Sequence, residues 1–202
     1  MKKLLMICIL LISNIINAQV NYKKDNIYIF ARSTKSKVNF IAEDFNLNDK
    51  FITHIGIGYY ENDTIKIYNV SNDVKNKNNS ALLVDNYKTF INVNDVISVS
   101  IWSLKVNKKK MKTFIKNIKS FENLKIEFDN NFILNDDNIL YCSEFVYNVL
   151  NMTDDKKFHF KPISKRLNQF YSNVLKRLEL VYIPVDFYQS LNFKKVFEFN
   201  KF

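Results

Sequence analysis

The apolar positions of the chain follow two different periods, and each period predicts one kind of secondary structure. Alternating or β-rich apolar runs, which are typical of strands with one buried face, occur in five places. The strands predicted from these runs are 25–30, 51–60, 64–70, 96–102 and 180–185. The second and third runs flank Glu61-Asn62-Asp63, so we expect them to form a hairpin.

Other segments repeat their apolar residues every three to four positions, as amphipathic helices do. The clearest stripe of this kind consists of Met111, Phe114, Ile115 and Ile118. Further helices are predicted over 140–150 and 164–178, and the polar segment 32–50 is predicted to be partly helical around 38–45. Strands and helices that do not alternate regularly indicate the α+β class.

The N-terminal segment has the pattern of an export signal. Lys2 and Lys3 precede an apolar stretch from Leu4 to about Ile16, and the small residue Ala18 follows. Such a stretch is too short to cross a hydrocarbon core of about 30 Å comfortably. We therefore expect residues 1–18 to be a cleaved signal peptide and the protein to be periplasmic or secreted. An uncleaved membrane anchor is the alternative.

The remaining chain, 19–202, is expected to form a single domain, because no repeat, linker or change of composition divides it. Its composition also excludes most cofactor chemistry. The whole sequence contains only two Gly, two His and two Cys. Phosphate-binding loops, dinucleotide fingerprints and zinc sites need more of these residues at fixed spacings. The sequence therefore predicts neither a cofactor nor a metal site.

The chain is basic, with a formal net charge of +10 that is carried mainly by lysine. Because the lysines are spread along the chain, they are expected to lie on solvated faces of the protein. Electrostatic association with an anionic cell envelope is the alternative. The sequence has no nucleic-acid-binding motif, so nucleic acid is not expected as a partner.

Both glycines lie close to a histidine, in Thr53-His54-Ile55-Gly56-Ile57-Gly58. Glycine weakens the interior of a strand and usually marks a bulge or a close approach by another backbone or a ligand. His54 is therefore expected beside such an approach. A histidine that simply packs in the core or lies on the surface is the alternative.

Cys142 is the one cysteine that remains once the expected signal peptide is removed. Exported proteins usually pair their cysteines or have none. Cys142 lies in or near the first turn of the helix predicted over 140–150, where unpaired amides and the helix dipole stabilise a thiolate. We therefore expect a lowered thiol pKa. The alternative is a small apolar residue on the core-facing side of the helix.

A thiol and an imidazole are the minimum parts of a cysteine amidohydrolase. Thr53-His54-Ile55-Gly56-Ile57, followed by Tyr141-Cys142-Ser143-Glu144-Phe145-Val146, resembles the permuted papain-like hydrolases of the bacterial YiiX type. That family is related to NlpC-type cell-wall peptidases and to lecithin-retinol acyltransferases. The resemblance covers about 25–150. It implies an antiparallel sheet packed against helices, with the histidine strand before the cysteine helix.

The resemblance also implies roles for individual residues. Cys142 matches the nucleophile and His54 matches the base, and a polar group on the next strand orients the base. Asn69 is the position that best matches this third group, with Asp73 as the fallback. The family more often has a glutamate or a second histidine there. The backbone amide of Cys142 is expected to stabilise the oxyanion, and Tyr141 is either a second donor or a packing residue.

These observations predict an exported thiol hydrolase or acyltransferase. The leading substrate class is an amide bond of a peptidoglycan peptide or another envelope component. A lipid acyl ester is the runner-up, suggested by the acyltransferase relatives and by the aromatic content of 15%. A non-catalytic module of the same fold that binds the envelope is the alternative from a different class. Nothing in the sequence indicates the oligomeric state.

Overall fold

The computed structural model describes residues 20–35, 40–72, 80–92, 96–134, 136 and 138–200. The expected signal peptide and Asp73 lie outside these residues. The strands are β1 (Asn26–Thr34), β2 (His54–Glu61), β3 (Thr64–Val70), β4 (Leu82–Asp85), β5 (Val96–Lys105), β6 (Glu127–Phe128), β7 (Ile139–Leu140), β8 (Ile163–Arg166), β9 (Glu179–Tyr182) and β10 (Lys194–Asn200). The α-helices are α1 (Phe40–Phe45), α2 (Tyr87–Ile91), α3 (Lys108–Ser120), α4 (Cys142–Thr153) and α5 (Gln169–Leu175). Two short 3-10 helices are Phe121–Asn123 and Phe187–Ser190.

Six strands form one antiparallel sheet in the order β10-β5-β1-β2-β3-β4. Successive side chains of a strand point to opposite faces of a sheet, and both faces of this sheet are covered. On one face, Ile55 and Ile57 share a core with Phe114 of α3 and Phe145 of α4. On the other face, apolar side chains of β1, β3 and β5 share a core with α2. The predicted α+β class and the antiparallel sheet packed against helices are confirmed.

The two glycines of β2 are required by the neighbouring strand. A Cβ atom at Gly58 would lie 2.1 Å from the backbone carbonyl oxygen of Lys66, far inside van der Waals contact. A Cβ atom at Gly56 would lie 2.8 Å from Cγ2 of Ile67. The close approach expected near His54 is therefore made by the backbone of β3. This tight pairing holds β2 and β3 in one register, with Gly58 opposite Ile67.

The periodicity misassigned or missed secondary structure in three places. Residues 164–178 form β8 followed by the short helix α5, because Ile163–Arg166 pairs with β9. Strands β4 and β10 lie at the two edges of the large sheet, and the pattern did not predict either of them. Strand β1 continues to Thr34, so Arg32 is a strand residue that is paired on both sides, although its segment is polar.

Two buried polar side chains attach the segment 46–52 to residues 183–186. Asn46 donates to the carbonyl oxygens of Asp49 and Ile52, at 2.7 Å each, and accepts from the Val185 amide at 3.2 Å. The carboxylate of Asp186 accepts from three consecutive backbone amides, those of Leu47, Asn48 and Asp49. Neither segment is a strand of the large sheet, so these side chains supply the ordering that strand pairing supplies elsewhere. Across the described residues, no helix has the length and apolarity needed to cross a bilayer.

Candidate functional site

A cavity of about 370 Å³ lies beside the first residue of β2 and the first residue of α4. Arg32 and His54 line it from the sheet, and Cys142 lines it from the helix. The thiol and the imidazole identified from the sequence therefore face the same space, although they are far apart in the chain. Cys142 forms no disulfide.

Cys142 is buried at the N-terminus of α4. Its thiol interacts with the backbone amides of Ile55, Ser143 and Cys142 itself. Because Ile55 directly follows His54 on β2, the sulfur lies against the strand that carries the histidine. The amides of Cys142 and Ser143 belong to the first turn of the helix, where backbone donors have no intrahelical acceptor.

The pKa of the Cys142 thiol is raised, and the lowered pKa expected from its helical position is therefore wrong for this structure. Burial is the largest cause and disfavours the thiolate. The three backbone amides and the positive charge of Arg32 act in the opposite direction but do not outweigh burial. The resting form of the sulfur is a neutral thiol.

His54 is half-buried, and its ring is fixed by two contacts. Its Nε2 atom forms a hydrogen bond of 2.9 Å with Oδ1 of Asn69, which is fully buried on β3. Its ring also stacks on Phe90 of α2, with 5.9 Å between the ring centroids. The contact expected from the sequence between His54 and Asn69 is thus present. It leaves Nδ1 as the ring nitrogen that is not bound to Asn69.

The imidazole of His54 is neutral at physiological pH. Burial lowers its pKa to about 3, the nearby positive charge of Arg32 contributes, and the hydrogen bond with Asn69 opposes both. Together with the raised thiol pKa, this makes the resting pair a neutral thiol and a neutral imidazole. The neutral imidazole can accept the thiol proton, but its low pKa makes it a weak base, so the transfer has to be favoured by groups that stabilise the thiolate.

Arg32 is a charged member of the site that sequence analysis missed. It lies opposite His54 in the register of β1 and β2 and is buried. Its Nη1 atom donates to the carbonyl oxygen of Phe90 at 2.5 Å, and its guanidinium lies 4.6 Å from the centroid of the Phe90 ring. One sequence pattern could have identified Arg32: it alternates with Tyr28 and Phe30 along β1, so the three side chains lie on the same face of the strand. The sequence analysis had assigned it to a polar segment.

Asp85 is a second residue that sequence analysis missed. The amide nitrogen Nδ2 of Asn69 donates to Oδ2 of Asp85 at 2.9 Å, so the imidazole, the carboxamide and the carboxylate form one hydrogen-bonded chain. Asp85 is the last residue of β4, which pairs with β3. No sequence signal pointed to it, because the strand that carries it has only four residues.

Tyr141 and Ser143 attach the outer part of the cavity to the helix. The hydroxyl oxygen of Tyr141 accepts from the Ile183 amide at 2.8 Å, and the Ser143 hydroxyl donates to the Ile183 carbonyl oxygen at 2.8 Å. Burial raises the pKa of Tyr141. Of the two roles considered for Tyr141, the geometry favours packing.

The outer wall of the cavity is largely apolar. It is formed by α1, by β9 and by the residues that follow β9, and its apolar side chains are Ala42, Phe45, Leu180, Tyr182, Ile183 and Val185. The cavity thus places a thiol, an imidazole and a buried cation opposite an apolar surface. Its volume is in the lower part of the range typical of small-molecule sites, so it suits a side chain or a short acyl group.

Comparison with known proteins identifies a similar fold. No protein-family model matches the chain, and no curated protein matches it. Among solved structures, the crystal structure of the metalloprotein yiiX from Escherichia coli O157:H7 is similar, with a TM-score of 0.65 and 14% sequence identity. The match covers 88% of this chain and 99% of that protein. The chain therefore has a YiiX-like fold, in agreement with the resemblance of its two motifs.

Proposed function

We propose that the protein is an exported cysteine hydrolase of permuted papain-like fold, in which Cys142 is the nucleophile, His54 is the base and Asn69 orients the base. One observation carries the proposal. The imidazole is held through Nε2 by a buried carboxamide, in the cavity that the thiol lines. Nucleophile, base and orienting group are the three parts that thiol catalysis of acyl transfer requires.

The proposed reaction has two stages. Nδ1 of His54 takes the proton of the Cys142 thiol as sulfur bonds to the acyl carbon, and the imidazolium then protonates the leaving nitrogen or oxygen as its bond to carbon breaks. Water attacks the resulting thioester, gives a proton to His54 and releases the acid, with the sulfur leaving and regaining its proton. An alcohol or amine acceptor in place of water would make the same enzyme an acyltransferase.

Two features support stabilisation of the charge that develops in this reaction. The amides of Cys142 and Ser143 are donors at the helix N-terminus, where the dipole also favours a negative oxygen. Arg32 adds a buried positive charge that acts on both Cys142 and His54. We infer that burial keeps the imidazole unprotonated before the reaction with help from the charge of Arg32, and that this charge favours the thiolate during attack.

The leading substrate class is an amide bond of a peptidoglycan peptide or of another envelope component. A positive net charge attracts an exported protein to this anionic material. A small cavity suits a peptide side chain. The apolar outer wall favours a second candidate, an acyl ester of a lipid. In both cases the acyl group would contact the wall formed by Phe45, Leu180 and Tyr182.

The similar E. coli structure is described as that of a metalloprotein, so we asked whether the present chain offers a metal site. Within the described ranges, no group of three or more His, Cys, Asp or Glu side chains is placed to hold a metal ion. Nε2 of His54 is also engaged by Asn69. The described residues do not fit a metal centre, and no step of the proposed reaction is routed through one.

The test is to trap the acyl-enzyme. We would incubate the protein with a cell-wall digest and, separately, with phospholipid vesicles, and then locate any acyl adduct by mass analysis of proteolytic peptides. An adduct on the peptide that contains Cys142 is expected with one of the two substrates. Its mass identifies the acyl group and so distinguishes an amide substrate from a lipid ester.

Three variants serve as controls. Cys142→Ala should form no adduct, and His54→Ala should form it far more slowly. Asn69→Ala should lose less activity than Cys142→Ala, because the orienting group contributes the smallest share of a triad. If binding to the digest is unchanged in Cys142→Ala and no turnover is found in the wild type, the protein is a binding module instead.

A further inference from the structure

The hydrogen-bonded chain from His54 to Asp85 is one residue longer than a triad requires. His54 Nε2 and Asn69 Oδ1 are 2.9 Å apart, and Asn69 Nδ2 and Asp85 Oδ2 are also 2.9 Å apart. The three residues begin β2, lie within β3 and end β4, so the pairing of three adjacent strands fixes their spacing. Asn69 is fully buried between its two partners.

The chemistry of these groups allows one arrangement of protons. An ionised carboxylate accepts hydrogen bonds and donates none, so the Asn69 group that faces Asp85 must be its NH₂. The carbonyl oxygen of Asn69 then faces His54. Because that oxygen can only accept, Nε2 of His54 must carry the proton, and Nδ1 of the neutral ring must be bare.

We propose that Asp85 is a positioning residue that sets the tautomer of His54. It acts through Asn69, whose two ends are nearly identical in shape and differ only in hydrogen bonding. With the carboxamide reversed, its NH₂ would donate to Nε2, and the ring proton would move to Nδ1. The use of this tautomer rests on the proposed function, because a base must present an unprotonated Nδ1 to the thiol. The tautomer itself does not depend on any activity.

Arg32 and Phe90 also act on the ring of His54, and neither offers it a hydrogen-bond acceptor. Arg32 interacts with the ring through its charge, and Phe90 contacts it through a stacked aromatic face. Neither contact accepts the proton of a particular ring nitrogen. The carboxylate of Asp85 is therefore the group that makes one end of the chain different from the other.

The test is nitrogen-15 NMR of the imidazole in the full chain, without substrate and at neutral pH. Long-range correlations between ring nitrogens and ring protons distinguish a protonated nitrogen from a bare one. The wild type should show His54 with Nε2 protonated and Nδ1 bare. In Asp85→Asn, which keeps the size of the side chain, a second carboxamide permits either orientation, so an Nδ1-protonated fraction should become detectable.

An exchange of the two side chains sharpens the test. In the double variant Asn69→Asp/Asp85→Asn, the carboxylate lies next to His54 and the carboxamide lies beyond it. Because a carboxylate only accepts, the Nε2-protonated form should return as the only neutral tautomer. Val84→Ala, at an exposed position of the same strand, is the matched control and should leave the spectrum unchanged.

Two results would overturn the proposal: an Nδ1-protonated ring in the wild type, or an Asp85→Asn spectrum identical to that of the wild type. Thermal unfolding of each variant shows whether the sheet is intact, and Asp85→Asn changes no side-chain volume that could prevent folding. Loss of the proposed enzymatic function would appear as the absence of an acyl adduct on Cys142. That outcome leaves the spectra unaffected, so the two proposals fail separately.

Discussion

The two walls of the cavity are built in different ways. On the sheet side, Arg32 and His54 line the cavity, and Asn69 and Asp85 extend the hydrogen-bonded chain from His54. These four residues belong to four adjacent strands, and antiparallel pairing places each of them. On the outer wall, the residues come from segments that pair with no strand of the large sheet within the described part of the chain. Asn46 and Asp186 join the residues after α1 to the residues after β9 by hydrogen bonds instead.

This difference indicates which substitutions should destabilise each wall. Many backbone hydrogen bonds hold the sheet wall, so a side-chain substitution disturbs it only when it separates the strands. The join between the two segments of the outer wall depends on the two buried side chains Asn46 and Asp186, each of which satisfies several backbone donors or acceptors that would otherwise be unpaired. Four substitutions test this contrast, and they are given in the order of their expected effects on stability.

Gly58→Ala should cause the largest effect, because it forces β2 away from β3. The added Cβ atom would lie 2.1 Å from a backbone oxygen that cannot move without breaking the ladder. We expect a loss of about 4 kcal/mol in the free energy of unfolding, more than ordinary overpacking costs. Urea denaturation measures it.

Gly56→Ala is the matched control for Gly58→Ala. Its closest contact would be 2.8 Å to a side-chain methyl group of Ile67, and the nearest backbone oxygen, that of Tyr68, would lie at 3.0 Å instead of 2.1 Å, so its cost should be smaller. Equal stability of Gly58→Ala and the wild type would show that β2 and β3 are not paired this closely.

Asp186→Ala should cause the next largest effect, on the outer wall. It removes the acceptor of three backbone amides in a fully buried position. We expect a loss of about 3 kcal/mol, because buried donors are left unpaired. Hydrogen exchange should increase in residues 47–49 and should stay slow in β2 and β3. Asp186→Asn keeps an acceptor and should lose less, and uniform exchange across both walls would contradict the contrast.

His54→Gln should change the pH dependence of stability. The folded pKa of about 3 lies below the unfolded value of 6.5, so the folded state binds fewer protons between these pH values. The wild type therefore loses stability as pH falls from about 6.5 to about 3, by up to about 2 kcal/mol from this residue after allowance for its partial exposure. His54→Gln should remove that contribution. Denaturation at pH 7 and pH 4 measures it.

His159 provides the control for this pH experiment. It is the other histidine of the chain and is exposed. His159→Gln should leave the acid sensitivity of the wild type in place. If both variants lose stability at low pH just as the wild type does, His54 is not held neutral by its surroundings.

Tyr141→Phe should have the smallest effect. It removes one of the two hydrogen bonds that attach α4 to Ile183, and Ser143 retains the other. We expect a loss of about 1 kcal/mol. Tyr60→Phe, which removes an exposed hydrogen bond to Asp63, should cost less still. An enzyme that loses its acyl-transfer activity in Tyr141→Phe without losing stability would restore the oxyanion role for this residue.

The apolar periodicity correctly predicted those elements that have one continuous apolar face. Met111, Phe114 and Ile118 are buried on one side of α3, as their spacing predicted. The pattern failed where pairing decides the structure. The segment 164–178 was predicted as one helix, but β9 lies beside residues 163–166 and they form a strand. The edge strand β10 begins with two lysines, and its only partly buried positions are Phe197 and Phe199, so its apolar alternation is too short to identify a strand.

The sequence by itself determined the residue types of the site and their order along the chain. Cys142 and His54 were recognisable because few other residues supply a nucleophile and a base, and both occur in short motifs. The resemblance to the YiiX type added Asn69. These inferences rest on local sequence, which carries chemical identity, turn propensity and helical or strand periodicity.

Only the tertiary structure decided the electrostatic state of the site. Arg32 and Asp85 matter through their neighbours in the sheet, and no local pattern encodes which strand lies beside which. The thiol pKa is raised, although the helix N-terminus by itself lowers it, because burial depends on everything that packs around the sulfur. Desolvation is a property of the assembled cavity, so its size and its balance against local hydrogen bonds could not be read from the chain.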